Sequence, residues 1–357
     1  MCKPAHILFL PVFFLLAGCF PGSIRNYCGL YRECDATIAL GPDTLHELDV
    51  LYTGCGGLLI HSGASSVLVD PFYSYKGLSM LWKKLATDKV QTEQVFQKIR
   101  TQCGGTDAIG TVLVAHSHYD HLMDLPYVLN TYLKPGVRVI GGASTRNALA
   151  AMHLPAYEFR EAQFPKGRCF DSILLNEQMT LKMIPSGHAP HVKFLGIPFQ
   201  GMTGNIGPEG VPGFDTPDYK ARFCKWKEGE DYSFLIELNR EGRQRPFRIF
   251  IQSSSCAPTA GIPDFLAKDE PVDLAFIGVA SANNVRDYPM GLLRAIRPRY
   301  VVFIHWEDFF RSYDKKPGIV RATNFKKFLS RYEEVMGKDY PSFTTMPRQG
   351  TMYRFLY

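Results

Sequence analysis

The sequence predicts an α+β domain, and three observations support this class. Apolar runs with the length of strands recur along the chain, for example at residues 111–115, 247–251 and 300–304. Other stretches, such as residues 78–82 and 90–100, space their apolar side chains as helices do. Third, side chains that commonly bind metals follow directly after several of the strand-like runs. The fold and a functional site are therefore predicted together.

Composition is that of an ordinary globular protein. With 46% hydrophobic and 21% charged residues among 357, the chain can bury a large core, and one domain over residues 47–357 is sufficient. The net charge of +6 comes from basic residues that are scattered among acidic ones, which indicates a solvated surface. Since no basic tract alternates with aromatic residues, the sequence argues against binding of nucleic acid.

The N-terminus has the three regions of a secretory signal. Lys3 lies near the start, residues 7–16 are apolar, and small residues precede Cys19. The apolar run is too short to serve comfortably as a membrane span. Residues 16–19 resemble the lipobox of bacterial lipoproteins, which implies a signal peptide over residues 1–18 and a lipid on Cys19. Because Phe20 is not an aspartate, we expect anchoring at the outer membrane, facing the periplasm, with residues 19–46 as a tether. A cleaved signal with a coincidental cysteine is the alternative.

One six-residue segment carries the chemistry. Residues 111–115 form an apolar strand, and His116, His118, Asp120 and His121 follow it within six positions. Such a cluster is costly in a core and rarely needed in a solvated loop, so metal ligation is favoured over a polar turn with chance histidines. Residues two apart can turn the same way and share one ion. Neutral imidazoles suit zinc, iron or copper, and zinc is the default where three protein ligands leave a position open.

Two more histidines, His188 and His305, also follow apolar runs, at residues 181–187 and 300–304. The order His-Ser-His-Tyr-Asp-His, Ser-Gly-His and Ile-His-Trp resembles the metallo-β-lactamase-fold hydrolases. Within them, the segments at 51–61 and 67–71 look most like the branch of N-acyl phosphatidylethanolamine phospholipase D and ascorbate-6-phosphate lactonase. The resemblance covers the chain from about Leu48 onward. It implies an αββα four-layer sandwich with metals at one edge.

The resemblance also implies two groups of metal ligands. They are His116, His118 and His188 for a first ion, and Asp120, His121 and His305 for a second. The family's bridging aspartate is missing, because Ser253 stands at its expected place after the strand at 247–251. A hydroxyl is a poor ligand beside a carboxylate, so we expect one tightly bound zinc and a second ion that is weak or absent. Iron and manganese are alternatives to zinc, and Cys256 is either a substitute ligand or a small buried cysteine.

Three classes of function follow from this ligand set. The first is a zinc-dependent hydrolase of phosphodiester, ester or lactone bonds, in which Asp120 is the catalytic residue that orients water or takes its proton. A membrane anchor at Cys19 favours a lipid-like substrate over other small molecules. The second is a catalytically degenerate metal- or ligand-binding lipoprotein. The third is iron-based redox chemistry. The oxygen-reducing diiron relatives of the fold carry a glutamate at the position of His118, which disfavours diiron chemistry and leaves a mononuclear iron oxygenase as the alternative.

Several further residues carry weaker predictions. Asp70 is either a hydrogen-bond partner of a ligand histidine or the start of an Asp-Pro turn. We predict that Asp231 merely begins a strand, without function. Residues 198–230, rich in Gly and Pro, are expected to form a lid or binding loop beside the metals. Phe199, Met202 and Phe214 would give this loop an apolar wall. His191 is either a substrate contact or a surface residue, and His61 and His153 are predicted to be structural. A disulfide between Cys28 and Cys34 would close a short loop.

Overall fold

The structure is a computed structural model that describes most of the chain. The described residues are 22–41, 45–81, 83–152, 154–166, 169–190, 193–194, 197–198, 202–211, 213, 220–257, 259–267 and 270–357. Within these ranges, no helix combines the length and the apolar character that crossing a membrane requires. The residues singled out above that lie outside them are Cys19, His153, His191, Phe199, Phe214 and the predicted signal segment 1–18.

The first large sheet has eight strands. In spatial order these are β2 (Ala36–Ala39), β18 (Met352–Leu356), β3 (Glu47–Gly54), β4 (Gly57–Ser62), β5 (Ser65–Val69), β6 (Ile109–Leu113), β7 (Arg138–Gly141) and β8 (Glu158–Glu161). Strands β3 to β5 form an antiparallel meander. Strands β5 to β8 run parallel, so their carboxyl ends share one edge of the sheet.

The second large sheet also has eight strands. In spatial order these are β1 (Tyr31–Arg32), β17 (Thr344–Pro347), β16 (Tyr300–Ile304), β15 (Leu274–Gly278), β14 (Phe247–Gln252), β13 (Tyr232–Leu238), β10 (Met179–Pro185) and β9 (Asp171–Asn176). Strands β14 to β17 are parallel, whereas β9, β10, β13 and β14 pair antiparallel. A separate short pair joins β11 (Lys193–Phe194) to β12 (Ile197–Pro198).

The two sheets pack face to face around one apolar core. On β3 the even-numbered residues Leu48, Val50 and Tyr52 enter this core, where they join residues of the second sheet such as Phe234. Leu51, which lies between them in sequence, points to the opposite face and joins a different cluster. Both faces of the sheet are therefore buried, which explains why these strands are nearly continuous apolar runs rather than alternating ones.

Helices cover the outer face of each sheet. On the first sheet these are α1 (Lys89–Gln102), α2 (Tyr119–Leu122), α3 (Leu125–Thr131) and α4 (Ala143–Ala150), and on the second α5 (Met290–Ile296) and α6 (Phe325–Met336). Short 3-10 turns occur at Ile24–Tyr27, Gly77–Leu81, Thr106–Ala108, Phe223–Lys225, Ala282–Asn284 and Tyr340–Ser342. The layers thus run helix, sheet, sheet, helix, and the predicted αββα sandwich is confirmed.

Helix α1 shows how local sequence sets these elements. The Asp88 carboxylate accepts hydrogen bonds from the backbone N–H groups of Val90 and Gln91, which caps the first turn. Val95, Phe96 and Ile99, spaced as one helical face, are buried against the first sheet. The helix predicted at residues 90–100 is therefore confirmed. The one predicted at 78–82 is instead a 3-10 turn.

The segment expected to be a plain tether takes part in the fold. Within residues 22–41, β1 pairs with β17 and β2 pairs with β18, so the segment adds one edge strand to each sheet. Ile24 and Leu30 are buried in the outer cluster of the second sheet. Open backbone groups at a sheet edge explain this pairing, since even a short polar strand can satisfy them. Cys28 and Cys34 carry exposed thiols that are not joined to each other.

Candidate metal centre

Strand ends from both sheets bring polar side chains to one edge of the sandwich. Asp70 directly follows β5, and Val114 and Ala115 extend β6 to His116. The other three strand ends lead to His188 after β10, Ser253 after β14 and His305 after β16. Since each preceding strand is fixed by the apolar core, the positions of these side chains are set by the fold rather than by flexible loops.

A short helix places the rest of the motif. His118 immediately precedes α2, and Asp120 and His121 lie in its first turn. The next turn is anchored by the buried Asp124, whose carboxylate accepts hydrogen bonds from the N–H groups of Tyr73 (2.6 Å) and Ser74 (2.9 Å). Asp124 therefore ties the segment after Asp70 to the helices that carry the motif.

The structure brings all six predicted ligands together in two groups. In each group the ligand atoms lie within 4.8 Å of one another, and the groups are His116, His118 and His188, and Asp120, His121 and His305. The Nε2 atom of His116 is 3.1 Å from Nδ1 of His118. Nε2 of His305 is 3.2 Å from Oδ2 of Asp120. The rings of His116 and His121, with centroids 3.9 Å apart, connect the groups.

In the first group, the nitrogen that turns away from the cluster meets a backbone carbonyl in two of the three rings. Nε2 of His118 is 3.3 Å from the carbonyl oxygen of Met202, and Nδ1 of His188 is 2.7 Å from the carbonyl oxygen of Ala189. An acceptor on one ring nitrogen selects the tautomer that presents the lone pair of the other, so these two rings are oriented as metal ligands require. Nδ1 of His116 faces Oδ2 of Asp231 at 3.5 Å, but the two buried atoms form no hydrogen bond.

The second group is held through Asp70. One carboxylate oxygen accepts a hydrogen bond from the Ala115 N–H (2.7 Å), and the other is 2.9 Å from Nδ1 of His121. That leaves Nε2 of His121 facing Asp120, at 3.9 Å. Of the two interpretations of Asp70, the structure supports the partner of a ligand histidine.

Burial and mutual proximity set the charges of the cluster. Burial lowers the pKa of His116, and the neighbouring imidazoles lower it further, so this ring is neutral, as a ligand must be. Burial acts to raise the pKa of Asp120, but the His305 hydrogen bond and the surrounding imidazoles outweigh it and hold the pKa well below its usual range. Burial likewise acts to lower the pKa of His121, yet Asp70 and Asp120 outweigh it and raise that pKa. The group therefore combines a neutral imidazole at His116 with an ionised carboxylate at Asp120.

Ser253 offers this centre no charge. Its hydroxyl donates a 2.6 Å hydrogen bond to Oδ2 of Asp70. The space around it is tight, since a Cβ on Gly56 would lie 2.8 Å from Cβ of Ser253, 2.9 Å from Oδ2 of Asp70 and 3.0 Å from Cε1 of His121. Cys256 does not replace the missing carboxylate: it is buried, and its sulfur contacts Ser186, Gln252 and the carbonyl of Ala260. It is a structural cysteine.

Asp231 is the site residue that sequence reasoning missed. We predicted only the start of a strand there, yet its buried carboxylate faces His116. Burial raises the pKa of Asp231, and the charges of Asp70 and Glu228 raise it further. Because His116 is neutral as well, the two form a neutral pair in the protein without a cation. No sequence signal marks this role, since the contact joins residues 115 positions apart across the two sheets.

Part of the predicted lid touches the centre through its backbone. Residues 202–204, which we term the strap, place the Met202 carbonyl against His118. The Glu228 N–H donates to that same carbonyl (2.7 Å), and the Gly229 N–H donates to the Gly204 carbonyl (3.0 Å). The Ser117 N–H in turn donates to the Glu228 carbonyl (2.8 Å), so the strap is fixed to the metal-binding motif itself. The Met202 side chain is half-buried and packs against the apolar cluster on the outer face of the first sheet.

We expect Gly229→Ala to weaken metal binding by displacing the strap. Gly229 has φ +69, and an added Cβ would lie 2.5 Å from Cβ of Ser144 and 2.6 Å from Oγ of Ser117. The loss of an acceptor for a ligand histidine commonly weakens metal affinity by about 10- to 100-fold. The measurement is competition with a coloured chelator. Gly63→Ala is the matched control, because Gly63 has a similar positive φ (+64), meets nothing within 4 Å and lies outside the strap. Equal loss in both variants would refute steric displacement.

His61 lies away from the centre. Its Nδ1 is 2.9 Å from the hydroxyl of Ser66, and burial lowers its pKa. This agrees with the predicted structural role.

No protein-family model matches the chain, and no curated protein matches it in sequence. Solved structures do resemble it in fold. Igni18, a metallo hydrolase from the archaeon Ignicoccus hospitalis, is 11% identical, covers 87% of this chain and 99% of its own, and has a TM-score of 0.47. A structure from Thermotoga maritima, provisionally described as a Zn-dependent hydrolase of the metallo-β-lactamase superfamily, is 10% identical over 84% of this chain and 97% of its own, with TM-score 0.32.

A third structure has a different chemistry. CmlA, a diiron β-hydroxylase from Streptomyces venezuelae, is 13% identical, covers 89% of this chain and 55% of its own, and has a TM-score of 0.43. At these identities and TM-scores the likenesses carry no weight for substrate or metal, and the site is interpreted from its own geometry. The chain is similar in structure to metal-dependent hydrolases, one of them described as a member of the metallo-β-lactamase superfamily.

Proposed function

We propose that this protein is a metal-dependent hydrolase that binds one zinc ion tightly and cleaves phosphodiester, ester or lactone bonds. The observation that carries the proposal is the orientation of three imidazoles. The ligand nitrogens of His116, His118 and His188 lie within 4.8 Å of one another, and the other ring nitrogen of His118 and of His188 meets a backbone carbonyl. A structural histidine rarely needs a partner on both ring nitrogens, whereas a metal ligand binds the ion with one nitrogen and a hydrogen-bond acceptor with the other. Three nitrogen ligands leave a position open for reactants, as in catalytic zinc sites.

The side chains around this group suit hydrolysis. A zinc ion bound there supplies a Lewis acid that lowers the pKa of water toward neutrality. Asp120 is ionised and buried next to the first group, and its Oδ2 is positioned to accept a proton from water. Nε2 of His305 lies 3.2 Å from that oxygen, so a cation held by both side chains would fix the direction of the carboxylate. Burial of the ligands keeps bulk solvent away, which strengthens these interactions.

A second candidate function is supported by Ser253. With its hydroxyl donated to Asp70, the second group has one carboxylate, Asp120, to neutralise a second dication. If hydrolysis needs two ions, the protein is a metal- or ligand-binding lipoprotein without turnover. In either case we propose that residues 1–18 are a signal peptide and that a lipid on Cys19 holds the protein at a bacterial outer membrane, near lipid-like substrates.

The test combines metal analysis with activity. We expect about one zinc per purified chain and hydrolysis of bis(p-nitrophenyl) phosphate or of members of a lactone panel, with activity lost on chelation and restored by zinc. His118→Ala should lose both metal and activity. His46→Ala is the matched control, because His46 is only partly buried and contacts the Glu241 carbonyl outside the site.

Other outcomes select other functions. Bound zinc without turnover of any ester would favour the binding lipoprotein. Iron together with oxygen consumption would favour an oxygenase. A chain that retains neither metal nor activity would contradict the proposal altogether.

A further inference from the structure

A cavity of about 330 Å³ lies next to the residues that follow His305. It is lined by Tyr75 and by Glu307 and Asp308, which follow Trp306 after the last candidate ligand. The lining also includes residues of the segment 311–317 and of the turn between β17 and β18, which carries Arg348. The site and function described above make no use of this cavity.

The walls carry basic groups that lack close acidic partners. Arg311, Lys315 and Arg348 line the cavity, and no carboxylate of the described residues lies within 4.0 Å of their charged nitrogens. Lys98, which also lines the cavity, differs because its ammonium forms an ion pair with Asp35 at 3.2 Å. Basic groups that surround one concave space together attract an anion.

The two buried acids of the lining, Glu307 and Asp308, already accept hydrogen bonds from other protein groups. Glu307 accepts hydrogen bonds from the hydroxyls of Tyr52 and Tyr75 and from the Cys55 N–H. Asp308 accepts from the Arg321 guanidinium at 2.9 Å. Glu33, the third acid of the lining, is exposed to solvent. The lining still holds four basic side chains, Lys98, Arg311, Lys315 and Arg348, against three acidic ones, so its formal charge favours an anion.

We propose that this cavity binds the phosphate group of a small molecule. Two guanidinium groups and one ammonium supply more positive charge than a single carboxylate needs, and arginine pairs with phosphate oxygens through two parallel hydrogen bonds. The volume has room for more than the phosphate itself. Tyr75 and Tyr313, whose ring centroids are 6.4 Å apart, give an aromatic flank for the rest of the molecule.

None of the six candidate metal ligands lines this cavity. The His305 N–H donates to the Cys55 carbonyl at 2.7 Å, and the Cys55 N–H donates to Glu307 at 2.9 Å. The phosphate group in the cavity is thus not the one that reacts at the metal. It belongs either to a distant part of the substrate or to a separate phosphorylated effector, and this inference does not depend on the proposed hydrolysis.

Calorimetric titration of the purified protein with inorganic phosphate and pyrophosphate tests the site. We expect Arg348→Ala to weaken binding about tenfold, as loss of a charged hydrogen-bonding pair does. Lys316→Ala is the matched control, since Lys316 is exposed and adjacent to Lys315 but does not line the cavity. His118→Ala should leave this binding intact, because it removes the metal and not the cavity. Arg348→Lys keeps the charge but cannot form two parallel hydrogen bonds to phosphate. It serves as a second variant if Arg348→Ala fails to fold.

Two results would overturn the proposal. Equal weakening in Arg348→Ala and Lys316→Ala would mean nonspecific attraction by surface charge, and loss of binding in His118→Ala alone would place the phosphate on the metal. Kinetics then separate the two sources. If the phosphate belongs to the substrate, Arg348→Ala raises KM for a phosphorylated ester but not for an uncharged lactone. If it belongs to an effector, KM is unchanged and only the response of turnover to added phosphate is lost.

Discussion

Asp120→Asn should lower turnover by about two to four orders of magnitude while leaving the tightly bound metal in place. The amide keeps the shape of the side chain but cannot accept a proton from water. The metal on His116, His118 and His188 should stay because Asp120 belongs to the other group. The measurement is steady-state hydrolysis of bis(p-nitrophenyl) phosphate alongside metal analysis of the same preparation.

The control for this variant is Asp107→Asn, which removes an exposed carboxylate that pairs only with Lys134 among the described residues. It should behave as the wild type. Two findings would argue against a proton-accepting role: turnover in Asp120→Asn equal to that of the wild type, or loss of the first metal together with activity. The second finding would instead make Asp120 a ligand on which the whole centre depends.

The sequence was sufficient to predict features that local chemistry determines. The αββα layers agree with what the family resemblance implies, and the apolar runs before His188 and His305 do form strands β10 and β16. The structure gathers the six candidate ligands, because parallel and neighbouring strands that end at one edge must bring their following residues together. Asp70 could be anticipated for the same reason.

Features that depend on distant contacts could not be read from the sequence. Asp231 faces His116 only because β13 returns beside the extended end of β6, where the Tyr232 N–H donates to the Ala115 carbonyl. The Met202 carbonyl that contacts His118 is held by backbone hydrogen bonds, which do not depend on the side chain at position 202. Residues 31–39 have weak strand signals, yet they pair because open sheet edges provide partners. In each case the determining contact joins segments far apart in sequence.

Ser253→Asp should raise the metal content from about one ion per chain to about two. Ser253 lies beside Asp70 and His121, where an added carboxylate would face the second ligand group. An extra anionic oxygen is what a second dication lacks there, because Asp120 is the one carboxylate of that group. Metal analysis after dialysis against zinc, compared with the wild type, measures the change.

The same variant should be less stable than the wild type when metal is removed. The substitution replaces the 2.6 Å hydrogen bond from Ser253 to Asp70 with two carboxylates in a buried space, so we expect the free energy of unfolding to fall by about 1–3 kcal/mol. Zinc should reverse the loss, because a cation between the carboxylates removes their repulsion. Ser253→Asn, of similar size but uncharged, should lose stability without gaining a second ion. If Ser253→Asp also stays at one ion per chain, the weakness of the second group has a cause other than the missing carboxylate.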